Sequence, residues 1–273
     1  MLQLVVASLL SGSRNLGYTF CMLLTFEHGD VRELRLNRPP VNALTSELLS
    51  ELRQAIEQAA QEGVRAVILS GLPGRFSGGL DVPLLLTLDE PAMSKLWREL
   101  YAVLEAIARS AVPVVAAITG HAPAGGTVLA LFCDWRVMTQ GDFKLGLNEV
   151  QVGIPLPPVI LGGLRRLVGP RRAEYLGVSG VLISPEQALA QGLVDEVVPA
   201  DEVVPRALAW CGKMLALPKE AMSLTRRKAR KDLHELFESG MDAELTTVIA
   251  NWWTPATQET LRGLVEKMKK KGA

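Results

Sequence analysis

The spacing of apolar residues changes several times along the chain, and each change marks an element. Leu23 to Phe26 and Val31 to Leu36 flank the break His28-Gly29-Asp30, which predicts a hairpin. Arg38-Pro39-Pro40 ends its second strand. Leu48, Leu49, Leu52 and Ile56 then recur at helical spacing, with Thr45 or Ser46 as the cap. Val64 to Ser70 (VRAVILS) is short, β-branched and nearly all apolar, the composition of a strand covered on both faces. Lys95 to Arg109 predicts a second amphipathic helix, Pro113 to Thr119 a second buried strand, and Gly126 to Phe132 a buried helix. Asp134 to Thr139 and Asp142 to Gly146 predict further short strands. Such alternation predicts a mainly α/β architecture of repeated ββα-type units.

After Pro155 the period becomes helical. Pro158 to Val168, Arg171 to Gly177, Ser184 to Gln191, Asp201 to Leu215, Lys219 to Ser239 and Thr257 to Lys270 each predict a helix. No low-complexity linker separates this part from the rest, so it is expected to continue the core or to pack on a neighbouring subunit. Met1 to Met22 carries a short apolar stretch with one arginine and no basic segment before it. It reads as a weak targeting segment or an over-long translation start, and the second is preferred because domain-like sequence begins at Met22. The expected organisation is therefore an N-terminal extension over 1–21, disordered or a mis-assigned start, a core over 22–205, and a helical C-terminal region over 206–273.

The 273 residues are 48% hydrophobic and 21% charged, which gives a sizeable core and excludes general disorder. Lys+Arg and Asp+Glu are equal at 29 each, so no nucleic-acid partner is expected. Arg226-Arg227-Lys228 and Lys267 to Lys271 read as solvated helix faces or tails. Cys21, Cys133 and Cys211 are scattered, without a CxxC pair, which argues against a metal site or disulfide framework and fits a cytoplasmic location. No apolar run approaches the ~20 residues that span a bilayer, so no membrane association is expected.

Three segments could carry chemistry. Arg75-Phe76-Ser77-Gly78-Gly79-Leu80-Asp81 and Gly120-His121-Ala122-Pro123-Ala124-Gly125-Gly126 each follow an apolar strand. Glycine pairs let a backbone turn tightly and approach a ligand. N–H groups at a helix start can stabilise a developing oxyanion. Either loop alone reads as a strand-to-helix turn; the two together point to a site. The third segment, Gly146 to Pro155, sets Glu149 among apolar residues, where a carboxylate becomes a general base, although a solvent-facing loop glutamate reads equally well. No GxSxG, HExxH, Walker A or helix-opening GxGxxG sequence occurs. His121 is expected to hydrogen-bond locally, and Trp252-Trp253 to pack in the helical region or at an interface.

From Met22 onward the chain resembles the crotonase (enoyl-CoA hydratase/isomerase) superfamily. Val41-Asn42-Ala43-Leu44 is similar to the family's N-A-L segment, and Phe76 to Asp81 to its F-[SA]-x-G-x-D loop. Gly120 to Gly126 followed by Cys133-Asp134-Trp135-Arg136 is similar to its second loop and C-D-x-R strand, and Ser184 to Val198 to its A-x-x-x-G-L-V-D-x-V-V segment. The resemblance implies a spiral of ββα units with a helical C-terminal trimerisation region, and a homo-trimer or hexamer. It implies an acyl-CoA substrate, with no cofactor beyond the coenzyme A of that substrate. It implies an oxyanion hole of the Leu80 and Gly125 N–H groups, with Arg75, Ser77, Gly78, Gly79, Asp81, Pro123 and Gly126 around the substrate, although a solvated Arg75 reads equally well. Hydratases of the family use two glutamates. The first position is Val128 in this chain, three residues beyond Gly125; the second is Glu149.

One remaining carboxylate suits a proton shuttle. Leu147-Asn148-Glu149-Val150-Gln151-Val152-Gly153-Ile154 looks most like the L-N-E-x-x-x-G-I of mitochondrial-type Δ3,Δ2-enoyl-CoA isomerases. The resemblance therefore implies isomerisation of 3-enoyl-CoA to 2-enoyl-CoA with Glu149 as the base. The alternatives are a 2-enoyl-CoA hydratase and a non-catalytic acyl-CoA-binding protein of this fold. Acyl-chain selectivity is expected to come from Leu84 to Leu88, Trp97 and Pro155 to Ile160. Pro83 stands where many relatives carry a lysine or other polar residue.

Overall fold

A computed structural model of the chain describes residues 21–238 and 241–271. The reading of the N-terminal extension over 1–21 lies, apart from Cys21, outside the described residues, as does Ser239 at the end of one expected helix.

The chain repeats a strand–strand–helix unit. β1 (Leu23–His28), β2 (Val31–Leu36) and α1 (Ser46–Ala59) form the first. β3 (Ala66–Ser70), β4 (Gly74–Arg75), α2 (Val82–Leu85) and α3 (Glu90–Arg109) form the second. β5 (Val114–Ile118), β6 (Gly120–Pro123) and α4 (Gly125–Leu131) form the third. β7 (Trp135–Thr139) and β8 (Leu145–Gly146) lead through a 3₁₀ turn, Glu149–Val152, into α5 (Pro158–Ser179). After α6 (Pro185–Gln191) comes β9 (Glu196–Val198), then α7 (Val203–Leu215), α8 (Lys219–Ala229), α9 (Lys231–Glu235), α10 (Met241–Trp252) and α11 (Pro255–Lys271). Both strands of the first unit, the first strand of each later unit and β9 build a sheet of order β1-β2-β3-β5-β7-β9, and the short β4, β6 and β8 stack as β4-β6-β8. Only β1–β2 pair antiparallel in the large sheet; Leu34 meets Leu69 and Val115 meets Trp135 in the parallel part.

All five residues of β3 are buried, and so are all five of β5, because the sheet is covered on both sides. Leu34, Val67, Leu69 and Ala116 face the main core under α1 and α3. Ile68, Val115 and Val137 face Val203, Ala207 and Cys211 of α7. The expected boundary between residues 205 and 206 thus falls within α7, a helix that covers the sheet.

Sequence spacing marks most of the longer elements; the short β4 and β6 lie within the expected glycine-rich loops and α2 just after the first, where no strand or helix is expected. The expected Lys219 to Ser239 helix breaks at Arg230, which turns inward. Its guanidinium meets Asp134 at 3.0 Å and donates to the Ala108 carbonyl at 3.2 Å. Arg226 is no solvated cation either: Nε and Nη2 reach the two Asp134 oxygens at 2.7 Å each. β9 and α10 were not marked at all. The expected break between Pro158 to Val168 and Arg171 to Gly177 is present, as Gly169 leaves helical geometry inside α5 (φ 75°).

Candidate active site

The first glycine loop is folded around the turn before α1. Asn42 is buried and left-handed (φ 51°); its Nδ2 donates to the carbonyls of Arg75 (3.1 Å) and Phe76 (3.0 Å). Its Oδ1 accepts from the Arg38 N–H at 2.9 Å. Ser77 Oγ donates to the Asn42 carbonyl at 2.8 Å and accepts from the Gly79 N–H at 3.2 Å. Leu44 N–H donates to the Gly79 carbonyl (2.8 Å) and Asp81 N–H to the Leu44 carbonyl (3.1 Å), a parallel bridge between Leu44 and Leu80. In that pattern the Leu80 N–H points away from Leu44. It donates to no partner among the described residues.

The second loop turns from β6 into α4 at Ala124, a non-glycine residue at φ 48°, ψ −122°. Such backbone strain persists only where neighbours hold it. Here the Ala124 N–H donates to the Gly146 carbonyl at 2.8 Å, and the Ala124 carbonyl accepts from Val128 N–H at 2.9 Å. Gly125 then opens α4, so its N–H has no intrahelical acceptor, and it finds none elsewhere among the described residues. The loops touch through their glycines. A Cβ on Gly125 would lie 3.1 Å from Gly79 Cα and 3.4 Å from Leu80 N, and one on Gly126 would lie 2.6 Å from the Ser77 carbonyl oxygen. Leu80 and Gly125, from separate loops, thereby both line a cavity of about 390 Å³.

That cavity gathers Gly78, Leu80, Asp81, Pro123, Gly125, Val128 and Glu149. Arg75, Ser77, Gly79 and Gly126 are not on its wall. Arg75 is exposed, and its backbone belongs to β4. The Ser77 hydroxyl is spent inside the loop, while Gly79 and Gly126 provide the close approach of the backbones. Asp81 caps α2 by accepting from Leu84 N–H at 3.1 Å, and it pairs with Arg38 at 2.6 Å. His121 lies off the cavity, its Nδ1 accepting from Lys144 N–H at 3.1 Å and its ring packed edge-on against Phe143. Of the Trp252-Trp253 pair expected to pack in the helical region or at an interface, Trp252 is buried in the helical region and Trp253 is exposed.

Glu149 begins the 3₁₀ turn. The residue as a whole is half-buried, yet its Oε2 is enclosed and has no hydrogen-bond partner among the described residues. Burial pushes the carboxyl up to about 7, and the weaker opposing pull comes from its own backbone N–H. The neighbouring Asn148 Oδ1 is enclosed and unpartnered too. Of the expected chain-length determinants, Leu85, Trp97, Pro157 and Ile160 reach the wall. Leu100 and Leu264 join them without a signal in the local sequence; Leu264 comes from α11, whose apolar face folds over the site. Among the described residues no group of three or more His, Cys, Asp or Glu could hold a metal ion, and no helix is long and apolar enough to cross a membrane.

A spiral of ββα units whose glycine loops meet over an apolar cavity with one proton-affine carboxylate defines an α/β enzyme of the crotonase fold. The enoyl-CoA hydratase/isomerase family model matches residues 27–271, and the chain belongs to that family. It is 33% identical over 263 residues to the mouse (Mus musculus) mitochondrial enoyl-CoA delta isomerase 1, covering 95% of this chain and 91% of that protein. A probable enoyl-CoA hydratase of Mycobacterium tuberculosis is 38% identical over 205 residues, covering 74% and 77%. The crystal structure of human mitochondrial delta3-delta2-enoyl-CoA isomerase superposes with a TM-score of 0.88 at 30% identity, covering 93% of this chain and 100% of that one.

Proposed function

We propose that the protein isomerises 3-enoyl-CoA to 2-enoyl-CoA. The thioester oxygen sits between the Leu80 and Gly125 N–H groups. Deprotonated Glu149 takes a proton from C2, and the charge spreads onto the thioester oxygen as a dienolate. Glu149 then returns the proton to C4, and the double bond ends in conjugation with the thioester. One donor of such a hole is typically worth ~3 kcal/mol in the transition state.

One observation supports this reading above the others. Glu149 is the cavity-lining carboxylate without an ion-pair partner among the described residues, its Oε2 enclosed and without a hydrogen bond, whereas Asp81 is committed to Arg38 and α2. Val128, also on the wall, cannot move a proton where the two-carboxylate hydration of the family needs a second glutamate. The M. tuberculosis relative's name favours hydration as the second reading. No cofactor beyond the substrate's own coenzyme A enters this scheme.

The test offers 3-enoyl-CoA and 2-enoyl-CoA separately and follows the conjugated thioester by absorbance. Conjugation gained from the first supports isomerisation. Conjugation lost from the second supports hydration. Neither, with tight acyl-CoA binding, supports a non-catalytic role. Exposed Tyr175, Val178, Leu217 and Leu224 suit burial against further copies, and a trimer or a pair of trimers is the assembly proposed, checked by sedimentation. Cys133 and Cys211, free and buried, fit the proposed cytoplasmic location.

A further inference from the structure

Glu149 is held from the far end of the chain. The peptide unit between Gly153 and Ile154 bonds at both of its ends. Its N–H, on Ile154, donates to the Glu149 carbonyl at 3.0 Å. Its carbonyl, on Gly153, accepts from Asn251 Nδ2 at 2.8 Å and from Thr257 Oγ1 at 3.0 Å. A peptide unit is planar and rigid. One such plane therefore connects the backbone of Glu149 to the corner between α10 and α11.

The corner is built for this contact. Thr257 is buried, and its Oγ1 lies 3.0 Å from Thr254 Oγ1. Gly153 has φ 81°, and a Cβ there would stand 3.1 Å from Thr257 Oγ1 and 3.3 Å from Thr257 Cα. A side chain at 153 would oppose both the conformation and the approach. Leu264 lies seven residues beyond Thr257, two turns along one helix face, and it reaches the cavity wall. The same helix thus closes the cavity and holds the turn that carries the carboxylate.

We propose that Asn251 and Thr257 are positioning residues that fix the Glu149 carboxyl in the cavity through the Gly153–Ile154 peptide; the inference rests on Glu149 being the base of the reaction proposed above. Neither side chain lines the cavity. Losing both donors frees the 3₁₀ turn, so the carboxyl moves relative to the reacting carbons and water gains access to it. The glycine loops are untouched. The loss therefore falls on turnover and on the proton affinity of Glu149, and substrate binding is kept.

The experiment compares wild type, Thr257→Val, Asn251→Leu, the double variant, and Thr257→Ser, which keeps the hydroxyl. A misplacement of about 1 Å can cost ~100-fold in rate, so the double variant is expected to lose at least about tenfold in kcat with KM within about twofold. Thr257→Ser is expected to behave as wild type. Carbon-13 titration of the Glu149 carboxyl, assigned by its disappearance in Glu149→Gln, reads the site whatever the reaction. Its midpoint is expected near 7 in the wild type and about one pH unit or more lower in the double variant, because hydration relieves the burial. A folded double variant with wild-type kcat and midpoint overturns the proposal, as does a loss of activity that Thr257→Ser shares in full. If the double variant fails to fold, Thr257→Val is read by the same criteria. A Glu149→Gln enzyme that still isomerises, beside a shifted midpoint in the double variant, overturns the reaction and leaves the positioning role standing.

Discussion

Gly79 and Gly125 meet backbone to backbone: a Cβ on Gly79 would stand 3.0 Å from Gly125 N, and one on Gly125 would stand 3.1 Å from Gly79 Cα. Two loops whose glycines lie 46 positions apart in the chain thereby bring Leu80 and Gly125, whose N–H groups have no partner among the described residues, to one cavity. A methyl group at either position forces the loops apart. Gly125→Ala also presses on Leu44 Cδ1 at 2.9 Å. Its kcat/KM is expected to fall at least about 100-fold, the loss typical of one missing oxyanion donor. Circular dichroism and steady-state kinetics check that the fold survives while turnover is lost.

The raised proton affinity of Glu149 fixes the pH dependence. A base must be deprotonated to act, so kcat/KM for 3-enoyl-CoA is expected to rise with pH and level off above a midpoint near 7. The same group affects stability with the opposite sign. The folded state holds this proton more tightly than the unfolded chain does. The contribution is present below the ordinary glutamate value of 4.5 and is lost as pH rises through about 7. Glu149→Gln removes the buried charge. It is expected to be more stable than wild type at pH 8, by up to about 3 kcal/mol, and equal to it near pH 4. Urea unfolding at the two pH values measures the difference.

Val128 is the position that separates isomerisation from hydration in this reading. Val128→Glu adds a carboxylate to the cavity wall besides Glu149 and the Arg38-paired Asp81. Addition of water to 2-enoyl-CoA is expected to rise at least about tenfold over wild type, since a placed acid–base group typically contributes ~100-fold or more. Loss of conjugated absorbance measures it, and an unchanged rate in a folded variant contradicts the role given to Val128.

Asp134 fastens the C-terminal helices to the core. It accepts from both Arg226 and Arg230 and from the Val114 N–H at 2.8 Å, and those arginines hold its carboxyl below the usual carboxylate value despite burial. Asp134→Ala leaves two enclosed cations without their partner. A loss of 3–5 kcal/mol is the usual size for breaking such a pair, and about that much is expected in urea unfolding.

Much of the site was legible because its signals are local. Two glycine runs after apolar strands and Glu149 among apolar neighbours lie within short windows, whereas Val128 takes its meaning only from the family resemblance. What stayed hidden depends on residues that meet only when the chain is folded. Asn42 stands out in the sequence only through the N-A-L resemblance, and nothing local shows that its amide bonds the carbonyls of Arg75 and Phe76. Arg226 reads as part of a solvated face until Asp134, 92 residues earlier, is placed beside it, and Arg230, 96 residues after Asp134, gives no sequence signal of that contact. Leu264 gives no hint that it walls a cavity made by residues more than a hundred positions before it. Helical periodicity alone missed α10, and β9 is a three-residue strand too short for any period to show.

The most direct test of the single-glutamate shuttle is the Glu149→Gln enzyme assayed with 3-enoyl-CoA beside a measurement of acyl-CoA affinity. The substitution keeps the shape of the side chain and removes its ability to take a proton. The expected result is a fall in isomerisation of about 1,000-fold or more with acyl-CoA affinity within a few-fold of wild type. Full isomerisation by that variant would contradict the assignment.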